Sequence, residues 1–114
     1  MTKAKRYLSV AERSAYHRLE DVIGCKWSAG VVAAIGEGVR RPGELERYIP
    51  GISKKILSER LRKLLDFGII TREELPGRLP HVEYSLTPTG KKLSRILHQI
   101  TALAEAHAHD RTPE

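Results

Sequence analysis

The sequence predicts a mainly helical α+β domain in which one β-hairpin interrupts a run of five helices. Three observations lead there. Apolar residues recur at three- and four-residue spacing through most of the chain. One run, Val82-Glu83-Tyr84-Ser85-Leu86, alternates apolar and polar with a period of two instead. The pairs Pro50-Gly51 and Pro76-Gly77 fall between such segments, where turns are needed. The 114 residues suit a single domain, 1–114, and cannot fill two cores of ordinary size.

The first helix is predicted over 10–23, after a basic arm at 1–8. Ser9 and Glu12 form a capping-box pattern, and Ala11, Ala15, Leu19 and Val22 give the stripe that ends at Gly24. Trp27, Val31, Ala34 and Ile35 share the face of a second helix, closed by Gly36 and Gly38. Gly30 within it costs about 1 kcal/mol relative to alanine, which suggests that something approaches this backbone closely. The small side chains here either leave room for a ligand between helices or allow tighter packing, and tighter packing is preferred.

A short third helix over 41–49 leads into the Pro50-Gly51 turn. Ser53 is the N-cap of a fourth helix, over 53–66, with Leu57, Leu61, Leu64 and Leu65 on one stripe. Gly68 suits the left-handed position after its end. Strands at 69–75 and 82–86 make the hairpin. Thr87 as N-cap and Pro88 at the first helical position open a long last helix. Along it Leu93, Leu97, Ile100, Ala104 and His107 step by four, three, four and three, widened by Ile96 and Leu103, before a frayed tail at 108–114.

The net charge of +6 and the pI of about 9.7 raise the odds of a polyanionic partner. A single cysteine, Cys25, excludes an intrachain disulfide. Neither a signal peptide nor a run long enough to span a membrane is present, so a cytoplasmic, nucleoid-associated protein is expected. No Gly-rich phosphate loop or catalytic constellation is organised locally, and His107 and His109 are too few and too loose for a metal site. No enzyme, cofactor or metal is expected.

The order of elements carries more than any one residue. A helix-turn-helix followed by a hairpin is a winged helix-turn-helix, and the helix at 53–66 is its candidate recognition helix. Such a helix must be apolar toward its own domain and polar or basic toward a major groove. Its exposed arc is predicted to hold Lys55, Ser58, Glu59, Arg62 and Lys63, with Lys54 at its start. From Ser53 to Lys63 five basic residues face one acid. Taken alone, such a stripe is as often a solvated surface. The hairpin beside it, with Arg78 in a wing over 75–81 and His81 just after, favours DNA. Arg40 and Arg41 are candidates for backbone phosphate. The alternative is a winged-helix module that binds another protein or RNA.

The last helix has two readings, ordinary core or a dimer seam. A small two-stranded domain offers little to cover so long a helix, and the dimer is preferred. Its interface is expected at Leu19, Val22, Leu93, Ile96, Leu97, Ile100, Leu103 and Ala104.

Several strings together resemble the HxlR family of bacterial and archaeal winged-helix regulators. They are Gly24-Cys25-Lys26-Trp27, Arg41-Pro42-Gly43-Glu44-Leu45, the run from Pro50 to Leu64, and Val82 to Gly90. The resemblance implies a homodimer built from the first and last helices, on double-stranded DNA with two related half-sites. It implies groove-facing positions at Ser53, Lys54, Lys55, Ser58, Glu59 and Arg62, with the wing around Arg78. Many members of the family carry a sensor cysteine just before the first helix, whereas Met1 to Ser14 contain none. Cys25 instead stands where glycine is usual, beside Lys26. It is either a small packing residue, the preferred reading, or a sensor thiol for an oxidant or electrophile inducer.

Overall fold

The computed structural model describes residues 7–24 and 26–110, except for the side chains of Leu19, Ile23, His109 and Asp110. Its elements are α1 (Val10–Ile23), α2 (Ser28–Gly36), α3 (Pro42–Tyr48), α4 (Lys54–Asp66), β1 (Ile70–Leu75), β2 (His81–Leu86) and α5 (Pro88–Asp110). The expected order of five helices and one hairpin is observed. Residues 1–6 of the basic arm expected at 1–8, Cys25, and residues 111–114 of the tail expected at 108–114 lie outside the described residues, and α5 continues as helix through Asp110, where a frayed tail is expected from 108.

The helix boundaries follow from local chemistry. Ser9 Oγ accepts from Glu12 N and Glu12 Oε1 accepts from Ser9 N, both at 3.1 Å, so the capping box at the start of α1 is closed in both directions. Helices α2 and α4 end in the same way. Gly38 and Gly68 take φ of +97° and +72°. Their N–H groups, with those of Val39 and Ile69, donate back to Ile35, Ala34, Leu65 and Leu64 at 3.0–3.1 Å and 2.9–3.0 Å respectively. Trp27 departs from the expected helical face. It is the N-cap of α2 at φ +80°, half-buried, with Lys26 Nζ 5.2 Å from its ring centroid. A side chain in that conformation is strained. The indole lies against the turn at Gly51, where a Cβ would stand 3.4 Å from its Cη2.

Helix α2 is buried nearly all round: Ser28, Val31, Val32, Ala34 and Ile35 are at most 3 % exposed. The other four helices and β2 all pack on it. The small side chains therefore serve close packing. The expected close approach at Gly30 is not found, because a Cβ there would meet open space. It occurs instead at Gly90, in the first turn of α5, where a Cβ would collide with the carbonyl oxygen of Ile69.

That contact belongs to a junction built on Thr87. Its N–H donates to Ile69 O at 3.0 Å, and its hydroxyl lies 2.6 Å from Gly68 O and 3.1 Å from Ile69 O. The same hydroxyl accepts from Gly90 N at 3.0 Å, which makes it the N-cap of α5. The end of α4, the start of β1 and the start of α5 are thereby held at one point. The hairpin pairs antiparallel from Ile70↔Leu86 to Leu75↔His81. Ile70 and Tyr84 turn inward to the core, while the tip projects away from it.

The two glycines should respond oppositely to alanine. Gly90→Ala is expected to cost on the order of 3 kcal/mol, because the atom it meets is backbone. Gly30→Ala should stabilise by about 0.5–1 kcal/mol, through helix propensity alone. Urea unfolding of both variants at one protein concentration checks the pair.

Candidate nucleic-acid interface

The turn between α3 and α4 buries Ile52 and exposes Ser53, whose hydroxyl accepts from Ile56 N at 3.1 Å. That cap sets where α4 begins. The helix then buries Leu57, Leu61 and Leu64 and leaves Leu65 half-buried. On the opposite side Lys54, Lys55, Ser58, Glu59 and Arg62 are exposed. A helix about 10–12 Å across with short and basic side chains on its outer arc suits a major groove about 12 Å wide.

The five basic residues of α4 do not share one face. Lys63, expected on the exposed arc, is half-buried, and its ammonium lies 4.0 Å from Asp21 of α1. Arg60 lies 3.8 Å from Glu59, and its Nε is buried without a hydrogen-bond partner. Lys54, Lys55 and Arg62 remain on the open side.

The loop before α3 is fastened to the hairpin. Arg40 O accepts from Tyr84 N at 2.8 Å on the edge of β2 that β1 does not occupy. Arg41 is the N-cap of α3, with its own N–H donating to Glu44 Oε1 at 3.4 Å. Both arginine side chains are exposed. Between α3, α4 and the hairpin runs an open groove lined by Glu46, Lys54, Ser58, Arg62, Arg72 and Tyr84, among others.

Arg72 is the residue that the sequence reading missed. It sits opposite Tyr84 in the register, and its Nη1 donates to Glu74 Oε1 at 2.9 Å. The hydrogen bonds to Glu74 and then to the Tyr84 side chain raise its pKa above the usual value. The signal was present, since a strand puts residues two apart on one face. With Ile70 turned to the core beside α4, Arg72 follows on the same side.

The wing tip runs from Pro76 to Pro80 and exposes Arg78. His81 bridges its base: Nδ1 lies 3.1 Å from Leu79 O, and Nε2 lies 2.9 Å from Glu83 Oε2.

The residues expected at a dimer seam divide into two sets. Val22 is 6 % exposed within its own core, so it has almost no surface left for a partner. Leu93 and Leu97 are half-buried and pack on the same core. Ile96, Ile100 and Leu103 are 51 %, 49 % and 70 % exposed, and Ala104 is exposed as well. The side chain of Leu19 lies outside the described residues. Ala15, Val22, Phe67, Ile69, Leu93 and Ile96 line an apolar groove between α1 and α5, with Arg18 and Lys92 also on its wall.

Among the described residues no group of three or more His, Cys, Asp or Glu is placed to hold a metal ion. No described helix is long and apolar enough to cross a membrane.

The HxlR-like helix-turn-helix family model matches residues 22–112. The chain is 35 % identical over 89 residues to the HTH-type transcriptional regulator YvaP of Bacillus subtilis (strain 168), covering 78 % of this chain and 82 % of that one. It is 39 % identical over 80 residues to the regulator YtfH of Escherichia coli (strain K12), covering 70 % of this chain and 61 % of that one. Among solved structures, a chain described as a MarR-family transcriptional regulator from Enterococcus faecalis V583 superposes with a TM-score of 0.77 at 28 % identity, covering 94 % and 97 % of the two chains. The redox regulator HypR in its reduced form superposes with a TM-score of 0.74 at 34 % identity, covering 82 % and 93 %. These neighbours are regulators, not enzymes. A helix-turn-helix with a hairpin wing, joined to a family match over most of its length, makes this chain a member of the HxlR-like helix-turn-helix family and a transcriptional regulator of the winged-helix type.

Proposed function

We propose that the chain binds double-stranded operator DNA as a homodimer, with α4 in the major groove and the wing on the minor groove or backbone. The observation that carries the first half is the exposed arc of α4, next to an arginine-tipped hairpin in the same unit. Lys55, Ser58 and Arg62 reach base edges, and Glu59 is suited to a cytosine amino group. Ser53, Lys54, Arg40, Arg41 and Arg72 lie along the flanks, where phosphates pass, and Arg78 enters from the wing. Lys63 contributes less, because Asp21 holds its ammonium toward α1.

The second half rests on α5. From Gln99 to Ala108 every residue is exposed, including Ile100 and Leu103. The radius of gyration is 17.5 Å, against about 13 Å for a compact chain of about 100 residues. An isolated helical extension is marginal in water without a partner for its apolar side. A second copy of α5 supplies one, and the two recognition helices then address two half-sites. A protein that works on chromosomal DNA is placed with the nucleoid in the cytoplasm.

An oxidant or electrophile is the candidate inducer. HypR is described as a redox regulator, with structures of reduced and oxidised forms. In this chain a thiol input can come only through Cys25. The rate of Cys25 alkylation against pH separates a sensor thiol, reactive well below the ordinary range, from a packing residue.

A gel-shift titration with the gene's own upstream duplex over a salt series tests the DNA reading. Affinity should fall steeply as salt rises, with a log–log slope of about −0.9 per phosphate neutralised. Absence of binding to any duplex at low salt would leave the alternative, a module for protein or RNA. Arg62→Ala should weaken operator binding by roughly 1–3 kcal/mol if it reads a guanine, whereas Lys63→Ala should change it less. The double variant Ile100→Glu, Leu103→Glu should sediment as a folded monomer and lose two-half-site binding. A wild-type chain that already sediments as a monomer at micromolar concentration would remove the dimer.

A further inference from the structure

We propose that Leu79 is an apolar wedge that enters a base step of the minor groove and kinks the operator duplex. This rests on the duplex-binding reading above and goes beyond it in giving the wing a deforming role.

Leu79 is 83 % exposed, more than any other large hydrophobic side chain among the described residues. The tip offers it a place to hide and it is not used. A mainly apolar groove along the hairpin is lined by Leu75, Pro76, Gly77, Pro80 and Val82, with Glu74 and His81 also on its wall, and Leu79 is not part of that lining. The backbone that presents it is restrained on its C-terminal side. Pro80 restricts the preceding residue to extended conformations. The Leu79 carbonyl lies 3.1 Å from His81 Nδ1, whose other ring nitrogen is 2.9 Å from Glu83 on β2. With the backbone restrained on that side, the freedom lost when the leucine is buried is chiefly that of its own rotamers.

The neighbouring residues select the occupant. Arg78 precedes Leu79, and cationic side chains are drawn to the negative potential of a narrow minor groove. Leucine and proline are both among the side chains that unstack a base step by insertion. The wing also belongs to the same unit as the basic arc of α4, which fixes a duplex beside it under the reading above. An apolar tip meant for a protein partner would not need the adjoining cation.

Burial of one leucine and the unstacking of one base step are opposite in sign and similar in size. The bend, rather than the affinity, is therefore the decisive readout. The experiment uses the full chain and a duplex selected for binding from a random pool, with a fluorophore at each end. Anisotropy reports binding and energy transfer reports the end-to-end distance. 2-Aminopurine placed beneath the wing reports unstacking. The wild-type chain should bend the duplex by about 20–90° and raise the 2-aminopurine emission. Leu79→Ala should bind within about tenfold of wild type and lose both signals, whereas Leu79→Met, which keeps an apolar wedge, should retain them. The wedge is overturned if Leu79→Ala bends the duplex as wild type does, or if the wild type binds without bending it. If the wild type binds no duplex at all, the anisotropy shows that the duplex-binding reading itself has failed, and the wedge falls with it.

Discussion

Burial of one short helix organises this domain. α2 has nine residues, and the positions that would otherwise form its polar face are occupied by valine, alanine and glycine. A helix apolar on nearly all sides is stable only when covered on nearly all sides. The other helices and β2 provide that cover, and their mutual placement follows from it. The distance at which they pack is set by the small volume of Ser28, Ala34 and their neighbours. The junction at Thr87, Gly90 and Ile69 then locks the far side, where α4 turns into the hairpin and the hairpin into α5. Such a backbone contact tolerates no Cβ, so the direction of α5 is tied to the end of α4.

The consequence for the candidate interface is a division of labour along α4. Its leucine stripe belongs to the core and sets the helix's rotation about its own axis. That rotation decides which basic side chains are free. Lys54, Lys55 and Arg62 fall on the open side, while Arg60 and Lys63 fall on the flank next to Glu59 and Asp21. A local excess of positive charge is thus not the same as a positive face. One cation of the groove comes from elsewhere: Arg72 of β1, held by Glu74 and Tyr84, lines it with Lys54 and Arg62, while the loop before α3 is fastened to β2 by the hydrogen bond from Tyr84 N to Arg40 O. Residues from α3, α4 and β1 meet in that groove because the hairpin docks beside α4.

Helix α5 serves two environments in succession. At its start Gly90 and Ser94 are buried, and Leu93 and Leu97 pack on the core. At about 1.5 Å per residue, its 23 residues extend roughly 35 Å, well past that core. The apolar spacing continues without a break, so the periodicity does not announce where one environment gives way to the other. The proposed dimer uses the second part, whereas the α1–α5 groove is lined from the first part, by Leu93 and Ile96 among others.

By itself the sequence determined the element order, the caps and the family. Ser9 with Glu12, Ser53, Gly68 and Thr87-Pro88 each act within a few residues of themselves, and the structure finds each in the expected role. Periodicity likewise identified the leucine stripe of α4 and the alternation in β2, since both depend on chain geometry alone. What needed the tertiary structure was every question about distance between elements. The close approach lies at Gly90 and not at Gly30, because helix packing decides which backbone is crowded. Val22 lies in the core of its own chain, and Lys63 turns to Asp21. Arg72 joins the groove across the sheet register. A local pattern fixes which way a side chain faces on its own helix or strand, but what it meets there is set by an element far away in the chain.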